Sequence, residues 1–152
     1  MVTDKEMADL IQHHRAIEAH MTFLTKSLKN LTRKSQGEGK SVQLKEKITL
    51  YRWSLYDFRE AISRHIELDE RIFQGLQNSA SSAELTTEHG EIKKRIDDII
   101  QQAENAVYNR LSREELKQSA NAMTGTVKDV CKICEAHIAK EDALLIAGQG
   151  NS

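Results

Sequence analysis

The segment Val127-Lys128-Asp129-Val130-Cys131-Lys132-Ile133-Cys134-Glu135-Ala136-His137-Ile138-Ala139-Lys140-Glu141-Asp142-Ala143-Leu144 places Val127, Val130, Cys134, His137, Glu141 and Leu144 at alternating spacings of three and four. Such spacing lays the six side chains along one stripe of an α-helix. Four of them belong in a core, and His137 and Glu141 do not. Extended toward the N-terminus, the stripe continues through Met123, Ala120 and Leu116, giving a helix over about 113–147 whose apolar seam carries one polar interruption.

Three further segments repeat the pattern. A helix over about 4–33 has the seam Met7, Leu10, His14, Ile17, Met21, Leu24, Leu28, Leu31. One over about 42–77 has Leu44, Ile48, Tyr51, Leu55, Phe58, Ile62, His65, Asp69, Ile72, Leu76. One over about 82–109 has Leu85, His89, Ile92, Ile96, Ile99, Ala103, Ala106. The pairs Thr3 and Glu6, Ser81 and Glu84, and Ser112 and Glu115 each match the capping box, in which a hydroxyl and a carboxylate satisfy free amides of a first turn. Ser41 follows a polar loop from Lys34 to Lys40 and marks the remaining start,. The chain has no proline, so nothing breaks these runs from within. Four amphipathic helices with short connections predict an all-α, antiparallel up-down-up-down four-helix bundle over 1–147, with 148–152 a frayed tail.

In that topology the start of the first helix, the end of the second, the start of the third and the end of the fourth share one end of the bundle. At a rise of ~1.5 Å per residue, His14, His65, His89 and His137 lie ~11 to 16 Å from that end, in one layer. Asp69 and Glu141 follow one turn nearer the end, on the same faces as His65 and His137. The order is also an internal repeat. Leu10, His14, Ile17 recurs as Leu85, His89, Ile92, and His65, Ile66, Asp69, Glu70 recurs as His137, Ile138, Glu141, Asp142. A twofold relation between the halves would leave a symmetric two-metal pocket between them. Burying two carboxylates without a cation or a histidinium costs several kcal/mol per ion, so these six residues read as metal ligands. Mixed imidazole and carboxylate donors suit non-haem iron or manganese better than structural zinc. Six protein ligands over two ions leave open positions for dioxygen, peroxide or nitric oxide.

The composition excludes other classes. The chain has 152 residues, with 22 Lys and Arg against 23 Asp and Glu for a net charge of −1, and so lacks the basic field that holds nucleic-acid phosphates. There is no run of eighteen apolar residues and no signal-peptide pattern at the N-terminus, so a soluble cytoplasmic protein is expected. Cys131 and Cys134 form a lone CxxC inside a helical pattern, which reads as packed, reduced thiols and not as a zinc or redox motif. The Glu-x-x-His pairs of ferritin-like di-iron bundles are absent, since Ile62, Thr86 and Cys134 precede His65, His89 and His137 by three residues,.

The order His, His-x-x-x-acid, His, His-x-x-x-acid on four helices resembles the hemerythrin-like (HHE cation-binding) domain family, from about Met7 to Leu145. The resemblance implies two non-haem iron ions with an oxo or hydroxo bridge and two bridging carboxylates, held by His14, His65, Asp69, His89, His137 and Glu141. Two departures stand out. Oxygen-carrying members have a second histidine one turn after the first on the third helix, where this chain has Lys93, and Asp69 stands where Glu is more usual. The departures point away from oxygen storage and toward sensing, or redox chemistry with peroxide or nitric oxide; the reading is a protein that binds or senses dioxygen or a related small ligand, and a sensing role would need a protein partner for its output. The alternatives are a di-iron redox enzyme acting on peroxide, nitric oxide or ferrous iron, and a metal-dependent partner-binding signalling bundle.

Neighbouring polar residues are expected outside the layer. His13 and His20 flank the first seam, Glu18 and Lys93 lie off their seams, and Glu70 and Asp142 point ~140° from their histidines against ~40° for the fourth residue on. Asp142 alone would reach the centre if the helix were locally distorted. Leu10, Ile17, Ile62 and Ile92 are expected to wall a small apolar pocket. Trp53 and Tyr56 lie off the second seam and are expected in packing or partner contacts.

Overall fold

The computed structural model describes residues 2–35, 41–74 and 79–150. Among them it contains four helices and no strand: α1 (Asp4–Ser35), α2 (Ser41–Gln74), α3 (Ser79–Tyr108) and α4 (Arg113–Gly150). Each helix packs on the next and α4 returns to α1, with a lighter diagonal contact between α2 and α4. Residues early in α1 meet residues late in α2 and α4, as His14 does with Glu141, which is compatible with the up-down-up-down order. α1 runs past its expected end near 33 and takes in Lys34 and Ser35 of the expected loop; the rest of that loop, the end of the second helix beyond 74 with Leu76, and residues 151 and 152 lie outside the described residues.

Two helix starts form as their sequences specify. The Thr3 N–H donates to Glu6 Oε1 at 3.0 Å and the Glu6 N–H to Thr3 Oγ1 at 3.1 Å. Ser112 and Glu115 make the same reciprocal pair, both at 3.1 Å. The third start differs from expectation. α3 begins at Ser79 instead of near 82, and Glu84 is engaged elsewhere, accepting from Lys140 Nζ at 2.7 Å. The earlier start places His89 at the same depth along its helix as His14 along α1. α4 runs on to Gly150, past the expected end near 147.

The four stripes form the core almost residue for residue. Leu24, Leu55, Phe58, Ile96, Met123 and Val127 are among its most deeply buried members, each contributing ~1.5 to 3 kcal/mol by burial. The pattern loosens near the layer end, where Met7 and Leu144 are only partly buried and Leu145 is covered in place of Leu144. The apolar core is not continuous. A large cluster runs from Ile17 to Leu31 on α1 and through the matching parts of the other helices. A smaller one gathers Leu10, Leu68, Ile72, Phe73, Leu85 and Leu145 at one end. Six buried polar side chains lie where one cluster gives way to the other.

Gly90 interrupts α3 beside His89, and a Cβ there would meet nothing within 4 Å. It therefore serves no close helix approach. Gly90→Ala should stabilise the metal-free protein by about 0.5 to 1 kcal/mol, whereas Leu55→Ala should destabilise it by about 2 to 5 kcal/mol. Urea unfolding followed by circular dichroism measures both.

Candidate metal centre

All six residues read from the sequence as ligands are buried: His14, His65, Asp69, His89, His137 and Glu141, of which Glu141 is fully inaccessible. Each helix brings its contribution by seam position, so the layer follows directly from the helical period. α1 supplies His14, α2 supplies His65 and Asp69, α3 supplies His89, and α4 supplies His137 and Glu141.

The imidazoles form two pairs. Ring centroids of His14 and His65 are 4.9 Å apart and those of His89 and His137 are 4.7 Å apart, while His65 and His137 face each other across the pairs at 6.2 Å. In all four rings Nε2 is the atom directed inward. The carboxylates lie between the pairs. Asp69 Oδ2 is 3.0 Å from His65 Nε2, 3.0 Å from His89 Nε2 and 3.4 Å from His137 Nε2. Glu141 meets His14 Nε2 at 2.9 Å through Oε2 and His65 Nε2 at 3.2 Å through Oε1, and Oε1 also contacts His137 Nε2. Both acids thus touch members of both pairs.

Electrostatics account for how the layer holds together without a cation. Burial alone would push the imidazoles toward neutrality, but Asp69 and Glu141 overcome it and raise His65 to about 9 and His137 to about 10. Burial also opposes ionisation of Glu141, yet hydrogen bonds from His137, His14 and His65 hold its carboxyl well below the usual range. The balance is incomplete. Asp69 Oδ1, His65 Nδ1 and His89 Nδ1 are buried with no hydrogen-bond partner, and such atoms cost free energy unless something engages them.

The donor set fits a metal. His65, Asp69, His137 and Glu141 each offer one ligand atom, and the four atoms lie within 4.8 Å of one another. His14 and His89 extend the group at either side through Glu141 and Asp69. The unpartnered Asp69 oxygen has a lone pair that a cation would engage.

No family model, curated protein or solved structure matches the chain. Among the described residues no helix is long and apolar enough to cross a membrane.

The remaining neighbours sort by geometry. Glu18, Glu70 and Lys93 are exposed. His13 is half-buried with its ring centroid 6.0 Å from that of His65, and His20 packs edge-on against Phe58 at 6.2 Å. Asp142 stands outside the ring of ligands, with Oδ1 3.2 Å from His14 Nδ1 on the side away from the centre. Glu88 was missed by seam analysis. It lies off the α3 stripe, reaches across to His137 Nδ1 at 3.2 Å, and accepts from Lys140 Nζ at 2.9 Å. Partial burial works against its charge, but Lys140 and His137 hold the Glu88 carboxyl below its ordinary value.

A small cavity adjoins the layer on the large-core side, with about 10 Å³ open to the centre of a water-sized sphere and Ile17, Ile62, Ile66, Ile92, Cys134 and Ile138 beside His65, His89 and His137. This space is at the lower limit for a single water. Leu10, expected in its wall, belongs instead to the small cluster on the other side of the ligands. Both cysteines are free thiols, and burial pushes Cys134 up to about 12, so it lines the cavity as an uncharged, apolar group.

Loading this centre must displace protons. His65 and His137, raised above the ordinary imidazole value of ~6.5, are protonated at pH 7 in the metal-free protein. Their contribution to its stability is complete below ~6.5 and is lost as pH rises through about 9 and 10,. A metal needs both imidazoles neutral, so binding at pH 7 should release about two protons and tighten as pH rises toward 9. Calorimetric titration with Co2+ in buffers of different ionisation enthalpy measures the number released.

Proposed function

We propose that this chain is a hemerythrin-like, antiparallel up-down-up-down bundle that holds two non-haem iron ions and binds or senses dioxygen or a related small ligand such as nitric oxide or peroxide. The observation that carries the reading is the sharing of Asp69 and Glu141 between two imidazole pairs. His65, Asp69, His137 and Glu141 converge closely enough to hold one ion, and His14 and His89 on either side add the donors that a second ion needs. His14 and His65 would hold one ion and His89 and His137 the other, with Asp69 and Glu141 each in reach of both pairs.

The donor chemistry suits iron or manganese, and the hemerythrin-like order of the ligands selects iron. Four imidazoles and two carboxylates with no thiolate match the borderline donors of non-haem iron, and Cys134, the nearest sulfur, stays protonated. A carboxylate-bridged ferrous pair supplies two electrons and exchangeable positions for a small ligand. The protein then orients, insulates and selects. Asp69 and Glu141 fix the spacing and neutralise charge. Ile17, Ile62, Ile92 and Ile138 keep bulk water from the large-core side, and the cavity they bound with Cys134, no larger than a single water, excludes any sizeable organic substrate,. Lys93, one turn after His89, points to solvent, so α3 offers a single imidazole and leaves more of that ion's coordination to exogenous ligands.

Purified anaerobically with ferrous iron, the protein should contain close to two irons per chain and develop ligand-to-metal charge-transfer absorption on exposure to oxygen. His89→Ala and Glu141→Ala should each lower iron content by at least half. Near-stoichiometric zinc, no metal at all, or undiminished iron in both variants would overturn the proposal.

A further inference from the structure

The two imidazole pairs are supported unequally from outside, and this inference rests on the two-ion reading above. In the pair His89 and His137, the Nδ1–H of His137 donates to Glu88 at 3.2 Å. Glu88 is only 17% exposed on its side chain and is pinned by Lys140 at 2.9 Å, which is itself held by Glu84 at 2.7 Å. In the pair His14 and His65, the outer carboxylate is Asp142, 3.2 Å from His14 Nδ1 but 52% exposed and with water as a competitor. The internal repeat explains the difference. The position matching Glu88 in the first half, directly before the layer histidine, is occupied by His13. His13 lies beside His65, the counterpart of His137, with ring centroids 6.0 Å apart. Instead of a hydrogen bond between them, the Nδ1 atoms of both His13 and His65 are buried without partners; His89 Nδ1 in the other pair is unpartnered too, so the inequality lies in the sheltered Glu88 against the exposed Asp142.

A ligating imidazole whose outer N–H donates to a fixed carboxylate is locked in the tautomer that presents Nε2 to the metal and is made a better donor, and loss of such a partner typically lowers metal affinity 10- to 100-fold. We infer that Glu88 is a positioning residue that makes the His89 and His137 position the tighter of the two and the first to fill, and that His13 leaves the His14 and His65 position the weaker and more readily emptied one. The protein would then pass through a one-ion state as metal becomes scarce.

The test is a stepwise anaerobic titration with Co2+, whose visible bands report each ion separately, repeated with Fe2+. The wild type should fill in two resolved steps. Glu88→Ala should weaken the first step by about 10- to 100-fold and shift its Co2+ bands. Glu88→Gln, which keeps an acceptor without the charge, should weaken it less and covers the case in which the alanine variant does not fold. His13→Glu should do the opposite for the second position, tightening that step and narrowing the gap between them. Two ions bound with equal affinity, a first step that neither Glu88 variant changes, or a second step that His13→Glu leaves where it was would overturn this inference while leaving the two-ion site intact. Binding of one ion or none would overturn the proposed function itself.

Discussion

Two carboxylates inside a helical bundle create the constraint around which the rest of the chain is organised. An ionised acid taken out of water loses several kcal/mol of solvation, and Asp69 and Glu141 have almost no access to solvent. Among the described residues, the side-chain donors that reach them are the imidazoles of His14, His65, His89 and His137. In the metal-free protein His65 and His137 answer the charge by holding protons, and a bound metal would take over that balance as they give those protons up. Both states balance charge with the same atoms, so the layer can exchange one for the other with little rearrangement of the backbone. A layer built from lysine or arginine would balance the acids only in the protonated state.

This polar layer divides the core unequally. The larger apolar cluster fills the greater part of the bundle and is sufficient to fix the helices against one another. The smaller cluster of Leu10, Leu68, Ile72, Phe73, Leu85 and Leu145 closes the near end. Without it, Asp69 and Glu141 would open to solvent through the end of the bundle, with their charge screened and their positions free to vary. The end cap is therefore as much a part of the centre as the ligands, and it explains why Leu10 packs beneath the layer instead of lining the cavity above it.

Much of this was legible because a helix converts spacing into direction. Four seams, each broken by histidine at a similar depth, were enough to bring six specific side chains together. The misreadings have a common physical origin in what period does not encode. Glu84 matched a cap but is drawn to Lys140 across the α3 and α4 interface. Leu145 replaces Leu144 because the last turns of a bundle diverge and the favoured direction drifts. Glu88 sits off the stripe, and its reach to His137 depends on side-chain length and a lysine on another helix. The repeat offered one signal for it, since the position before each first-half and third-helix histidine is equivalent, yet one holds His13 and the other Glu88.

That unequal pair shows how a duplicated architecture can acquire two roles. Strict symmetry would make the two imidazole pairs identical in basicity, hydration and exposure. The seams keep the four imidazoles equivalent, because a change there would leave a buried acid without its partner. Residues one step off the seam carry no such penalty and are free to differ. Asymmetry therefore accumulates just outside the ligand layer, in Glu88 against His13 and in the sheltered Glu88 against the exposed Asp142. In the proposed sensing role, that arrangement would keep one position anchored while the other responds.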